Sequence, residues 1–282
     1  MPCFPQVKSS QVKSSQVKSS QVCYKSLLAF SAVFPCLAHS QSLIQVGFAT
    51  GMLQQDYQEL SASAPNGIFN QETGNLNTWQ IQANYLPTLS ISKLNLPLYV
   101  QVQYSQSMGN TQYDGFLQQG KILIPFMSKT NNHLQDVQFS IGLPFTHQSF
   151  QLTPLVSYSY HTWQRDLSQY QETYHHQAVA LGLLAVWQIN PQWQMTSQFS
   201  AGQMQSAQLN VPHVQFIASL GTQTIKTAHA QLAYDVNPYW QLALSANYQH
   251  YRYGQSAVNN GLFAPESITK QRSLLASLNY TY

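Results

Sequence analysis

The sequence predicts an all-β fold: a transmembrane antiparallel up-and-down β-barrel of ten strands, preceded by a cleaved signal peptide. Three observations lead there. Only 7% of the 282 residues are Asp, Glu, Lys or Arg, against about 25% in ordinary soluble domains. Mean hydropathy is nevertheless −0.23, and no stretch has the unbroken run of about 18 apolar residues that a spanning helix needs. From residue 41 onward, apolar residues alternate with Gln, Asn, Ser and Gly at period two. That alternation suits a strand with lipid on one face and a polar lumen on the other.

Residues 1–40 read as a secretory signal. Lys25 precedes the apolar run Ser26–Ala38, and Ala38-His39-Ser40 places small residues at the cleavage spacing, so the cut is set after Ser40. Upstream, Gln-Val-Lys-Ser-Ser repeats in tandem at 6–10, 11–15 and 16–20. The repeats read as a tolerated expansion in a discarded segment. Cys3, Cys23 and Cys36 all fall in this leader, which leaves the mature chain 41–282 without a thiol and excludes disulfide frameworks and thiolate metal sites. Cys36 follows Val-Phe-Pro, a context unlike a lipoprotein cleavage box. The formal charge of +3 also comes from the leader: without Lys8, Lys13, Lys18 and Lys25 the chain has 8 basic and 9 acidic residues. No basic patch then remains in the sequence to argue for nucleic acid.

The strands follow in order. Ile44, Val46 and Phe48 share the lipid face of the first, opposite Gln45 and Gly47. On the second, Trp79, Ile81, Ala83 and Tyr85 oppose Gln80, Gln82 and Asn84, and on the third, Leu98, Val100, Val102 and Tyr104 oppose Gln101, Gln103 and Ser105. The fourth sets Val137, Phe139, Ile141 and Leu143 against Gln138, Ser140 and Gly142. On the fifth, Phe150, Leu152, Val156, Tyr158 and Tyr160 oppose Gln151, Ser157 and Ser159. The remaining five are read at about 175–189, 193–206, 225–236, 239–252 and 271–282. Long polar connections near 54–75, 107–132, 163–173, 207–224 and 253–269 alternate with short ones near 87–96, 145–148, Asn190-Pro191 and Asn237-Pro238. Five long and four short is the count for ten strands with both termini on the periplasmic side. Lys121–Met127 and Val214–Leu220 are apolar enough to be strands and are read as strand extensions or folded loop; twelve strands is the second reading, eight the third. Trp187, Trp193 and Trp240 flank short turns, while Trp79 and Trp163 flank long loops, as two interfacial girdles would.

The last strand alternates Leu274, Ala276, Leu278, Tyr280 and Tyr282 with Leu275, Ser277, Asn279 and Thr281. By its leader, alternation, loop asymmetry and terminal Tyr282, the chain resembles Gram-negative bacterial outer-membrane β-barrel proteins as a class. The resemblance implies the outer membrane as location, its lipid bilayer as partner, and the barrel-assembly machinery as reader of the strand ending at Tyr282. No family-specific motif marks a narrower relative. Ten-stranded members include the omptin surface proteases, which place paired aspartates and an Asp–His couple at the outer rim. Here Asp56, Asp114, Asp136, Asp166 and Asp235 stand singly, with no Asp-x-Asp or Asp-x-His. Outer-membrane lipases and deacylases are similar to each other in a His/Ser pair close in sequence; the nearest candidate is His250 with Ser256, but His250 falls on the lipid side and Ser256 in a loop.

No catalytic residue, cofactor or metal site is therefore assigned. His161 and His176 point inward near the outer mouth of one hairpin, with no carboxylate clearly recruited beside them. The lumen lining of Gln, Asn, Ser, Thr, Gly and Ala reads as filling, because a barrel of this size encloses little more than its side chains. The expected function is surface binding or adhesion, or a structural role, through five polar outer loops. A narrow channel for small solutes is the alternative, and an outer-membrane enzyme the second alternative.

Overall fold

The computed structural model describes residues 43–61, 64, 67–91, 94–119, 122–167, 170–259 and 262–282. The leader 1–40, with its repeats, cysteines and cleavage site, lies outside the described residues. Ten long strands form the wall: β1 (Leu43–Leu60), β2 (Ile68–Leu86), β3 (Tyr99–Gln119), β4 (Ile122–Gly142), β5 (Phe150–Leu167), β6 (Tyr170–Gln188), β7 (Trp193–Val211), β8 (Gln223–Asp235), β9 (Trp240–Tyr253) and β10 (Glu266–Thr281). Each pairs antiparallel with the next, and β10 returns to β1 in register from Gln45↔Thr281 to Leu60↔Glu266. The sheet is closed, so no edge strand is left to satisfy in lipid.

Alternation decides the faces. Phe48, Val102, Phe139, Leu181, Leu244 and Leu278 are exposed on the outside, while Ser140, Thr153, Ser157, Ser245 and Asn279 are buried inside. Large apolar side chains exposed at every second position are what a lipid-facing band requires. The near-copied turns close one end alike. Asn190 Oδ1 accepts from the backbone N–H of Gln192 and Trp193, both at 2.9 Å. Asn237 Oδ1 accepts from Tyr239 and Trp240 at 2.9 and 3.0 Å. An Asn that folds its side chain onto the backbone in this way sets a tight turn.

The structure departs from the sequence reading at the other end. Most of the segments expected as polar outer loops are strand: β3 runs to Gln119 and β4 starts at Ile122. The β5–β6 hairpin is paired out to Leu167↔Tyr170. Polar composition misleads here because a strand above the bilayer keeps its ladder while facing water. Neither apolar segment adds a spanning strand: Ile122–Met127 is the outer part of β4, and Phe216–Ser219 is a short folded-back strand in the β7–β8 connection, paired with Gln208–Val211. Gly221, at φ 72°, then supplies the left-handed turn into β8. The short connection near 87–96 carries a small hairpin of its own, Thr88–Ile91 against Leu94–Pro97. Trp163 is not a girdle residue. It is fully buried inside the barrel, on the inward side of β5.

Candidate functional site

The lumen has two storeys of different chemistry. The lower one, at the level of the lipid band, is built mainly from hydroxyls and amides that pair with each other and, at one end, with the Asp235 carboxylate. Ser140 and Ser157 meet at 2.9 Å, and Thr78 and Ser107 at 2.8 Å. Asn279 donates to Gln241 at 3.1 Å, Gln241 to Asp235 at 2.8 Å, and Asn247 to Ser273 at 2.9 Å. Such mutual pairing is what a desolvated polar lining needs. Between Gln80, Gln82, His229, Gln231 and Asn279 a cavity of about 10 Å³ remains, room for about one water.

The upper storey lies above the lipid band. On β1 the outward apolar run Ile44–Met52 gives way to Gln54, Asp56 and Gln58, and on β5 Tyr160 gives way to Thr162, Gln164 and Asp166. At this height the inward residues form a charged and aromatic plug around Arg165, which is 1% exposed. Its Nε lies 2.8 Å from Glu72, and its Nη1 lies 3.1 Å from Glu172 and 3.7 Å from Glu59. The Glu72 contact is an ion pair whose angle does not make a hydrogen bond. The guanidinium also sits 4.9 Å from the Tyr57 ring, 5.4 Å from Tyr113 and 5.6 Å from Trp163. Asn70 and Thr111 donate to Glu59 and Glu72. Asn132 donates to Glu72 at 2.8 Å while accepting from Trp163 Nε1 at 2.6 Å. Burial raises the Glu172 carboxyl above its ordinary range, against the opposing pull of Arg165.

Rings complete the closure. Trp163 stacks on Tyr174 at 4.9 Å, and Tyr174 on Tyr253 at 5.4 Å. Tyr57 on β1 meets Trp163 on β5 edge-on at 5.1 Å. Trp163 and Tyr174 are directly paired on adjacent strands, whereas Tyr174–Tyr253 and Tyr57–Trp163 join strands that are not neighbours in the wall, so those two contacts cross the lumen.

His161 and His176 do come together, as parity implies, with ring centroids 4.8 Å apart and both rings 1% exposed. A carboxylate is recruited after all, which corrects the sequence reading: Asp136, directly across on β4, lies 2.6 Å from His161 Nδ1. An Asp–His couple made across two strands leaves no short-range motif to find. His176 Nδ1 meets the Tyr253 hydroxyl at 2.9 Å, while its Nε2 has no hydrogen-bond partner. Among the described residues no group of three His, Cys, Asp or Glu side chains is arranged to hold a metal ion. His250 and Ser256 are not brought together. His250 lies on the outward side of β9, and Ser256 Oγ accepts from Ala264 N–H at 2.8 Å and donates to the Ala257 carbonyl, tying down its own loop.

Sequence reasoning missed Arg165, Glu59, Glu72 and Glu172 as a unit. All four fall on the inward parity of their strands once those strands continue past the membrane. Extending the alternation upward was the available signal.

Among solved structures the chain is similar to the outer-membrane protease OmpT from Escherichia coli, at 10% identity, covering 85% of this chain and 97% of that one with a TM-score of 0.57. It also matches the β domain of the Bordetella autotransporter BrkA, at 10% identity over 84% and 99% of the two chains with a TM-score of 0.41. The attachment invasion locus protein Ail of Yersinia pestis matches at 10% identity over 85% and 99%, with a TM-score of 0.33. No family model and no curated protein matches the sequence. The closed ten-stranded wall and its outward apolar band define the class. The chain has the fold of an integral membrane β-barrel, with an outward band suited to lipid.

Proposed function

We propose that this protein acts at the cell surface as a closed, non-conducting barrel whose outer rim binds or adheres. The observation that carries the reading is the Arg165 plug, which spans the lumen with ion pairs and stacked rings. A solute path would have to break a buried charge cluster, and breaking one such pair is costly. Function then falls to the wall and hairpins above the bilayer, where exposed connections commonly carry it. The same reading assigns no catalytic step, and the His161 ring of the Asp136–His161 couple is covered by Tyr251 and His176.

Single-channel recording in a planar bilayer tests the plug: silence is expected, and steady conductance would restore the channel alternative. Adhesion is tested by comparing expressing and deleted cells for autoaggregation and for retention on protein-coated surfaces; equal behaviour would leave the structural role in its place. Orientation has its own test. Asn110→Cys, exposed on upper β3, should react with an impermeant maleimide on intact cells, whereas Asn237→Cys at a short turn should not. The reverse labelling would invert the barrel. The strand ending at Tyr282 is read in addition as the element recognised by the barrel-assembly machinery. Its ring is 84% exposed, while its backbone N–H donates to Ile44 across the seam at 2.8 Å.

A further inference from the structure

Inside the barrel, His161 on β5 and His176 on β6 stand on one rung of the ladder, directly across from each other. Side chains on a shared rung start about 5 Å apart, and the imidazole planes here are inclined by only 31°. Two tyrosines of β9 reach the pair from across the lumen. The Tyr251 ring lies 5.7 Å from His161 and 5.3 Å from His176, and the Tyr253 ring lies 5.7 Å from His176. The wall therefore gathers two buried imidazoles and two buried hydroxyls from three strands.

Each imidazole has one nitrogen engaged and one left over. His161 Nδ1 is held by the Asp136 carboxylate at 2.6 Å. An ionised carboxylate only accepts, so in the neutral ring Nδ1 carries the proton and Nε2 keeps its lone pair. That Nε2 has the Tyr251 hydroxyl at 3.4 Å, at the long limit of a hydrogen bond. His176 Nδ1 is held by the Tyr253 hydroxyl at 2.9 Å, and its Nε2 is buried with no hydrogen-bond partner. A buried polar atom left in that state calls for an explanation. Histidines that ligate metal ions show the same division: one ring nitrogen is anchored on an oxygen, which orients the ring and raises its basicity, and the other is free to bind. The pair is not sealed from water, because the Asp136 side chain beside it is 31% exposed.

We propose that His161 and His176 bind one divalent transition-metal ion through their Nε2 atoms, with the Tyr251 hydroxyl as third protein donor and water as the fourth. Rings at this spacing need only tilt toward each other to bring both nitrogens to about 2.0–2.1 Å from a common ion. Among the described residues no third His, Cys, Asp or Glu joins them, so the site lacks the full protein set of a structural zinc centre. Copper(II) is the ion it favours, since copper(II) stands above zinc for a given set of nitrogen and oxygen donors. Asp136 and Tyr253 are positioning residues, which hold the rings without touching the ion. A bound ion ties β5 and β6 to β9 across the lumen, just beneath the stacked Trp163 and Tyr174.

The test uses the whole protein in detergent, without a histidine tag, titrated calorimetrically with copper(II) and then with zinc(II). One ion per barrel is expected, with copper(II) held more tightly. Electron paramagnetic resonance of the copper(II) form should show two imidazole nitrogens on the ion. His176→Gln should weaken binding at least tenfold and leave one nitrogen. Tyr253→Phe keeps both ligands but frees one ring, and should weaken binding by roughly tenfold or more, the usual effect of losing an outer partner. His175→Gln changes the neighbouring outward histidine of β6 and should bind as wild type. If His176→Gln gives no heat-modifiable band, the nitrogen count of the wild-type protein and the affinity of Tyr253→Phe decide the question. Absence of stoichiometric binding, a wild-type nitrogen count other than two, or unchanged affinity in a folded His176→Gln would overturn the proposal. Loss of binding in His175→Gln would overturn it in favour of a site on the outer surface.

Discussion

The lower and upper halves of this barrel solve the same problem, a filled lumen, with different chemistry. In the lower half neutral hydroxyls and amides pair over short distances, as Ser140 with Ser157 and Asn279 with Gln241. In the upper half one guanidinium serves three carboxylates and is walled by Tyr57, Tyr113 and Trp163. The difference teaches where each kind of order comes from. A neutral pair lost from the lower lining leaves a group that its many neighbours can re-satisfy. A charge lost from the upper plug leaves its partners buried and uncompensated, and the penalty falls on one place.

The sharpest way to break that contrast is Arg165→Met. It strands Glu59, Glu72 and Glu172 together and should cost about 3–5 kcal/mol, the usual loss when one partner of a buried ion pair is removed. The readout is the temperature at which the folded band is lost on a gel. An unchanged transition would mean that the plug is a passenger. Outside the barrel, Leu244→Arg or Val102→Arg should cost about 2–4 kcal/mol at mid-membrane depth, whereas a polar exchange at Gln103 or Ser245 should be nearly silent. Unfolding in urea from lipid vesicles compares the two sets, and equal tolerance would show the facing to be wrong. A smaller effect is expected from Ser140→Ala, which removes the neutral hydrogen bonds to Ser157 and from Gln138, each worth about 1 kcal/mol. A loss as large as that of Arg165→Met would erase the distinction between the halves.

The smallest effect on the finished barrel should come from deleting Tyr282. With the ring 84% exposed, little area is lost, and at about 25 cal/mol per Å² that part stays well under about 1 kcal/mol; the other loss is the single seam hydrogen bond from its N–H to Ile44. In cells the consequence should be large if the terminal strand is the assembly signal. Surface levels of the deletion variant, set against its refolding from urea into detergent, separate the two roles. Normal surface levels would remove Tyr282 from assembly.

The sequence by itself determined the lipid band. Period-two alternation through Phe48, Ile81, Val102, Phe139 and Leu244 needs no long-range information, because a strand sends successive side chains to opposite faces wherever it pairs. Turn signals and the short-long rhythm of connections added the number of strands and their closure. Above the membrane the pattern loses its contrast. Water outside and polar groups inside make both faces hydrophilic, so the outer parts of β3, β4 and β5 read as loop, and Trp163 read as a girdle residue. Which inward residues meet was decided only by tertiary structure. Arg165 reaches Glu59 on β1 and Glu72 on β2, and Asp136 reaches His161 on the next strand. Lys226 and Lys270 line up on either side of His250. The physical reason is register: hydrogen-bonded ladders bring residues many positions apart to within one side-chain length, and no local spacing records which rung faces which.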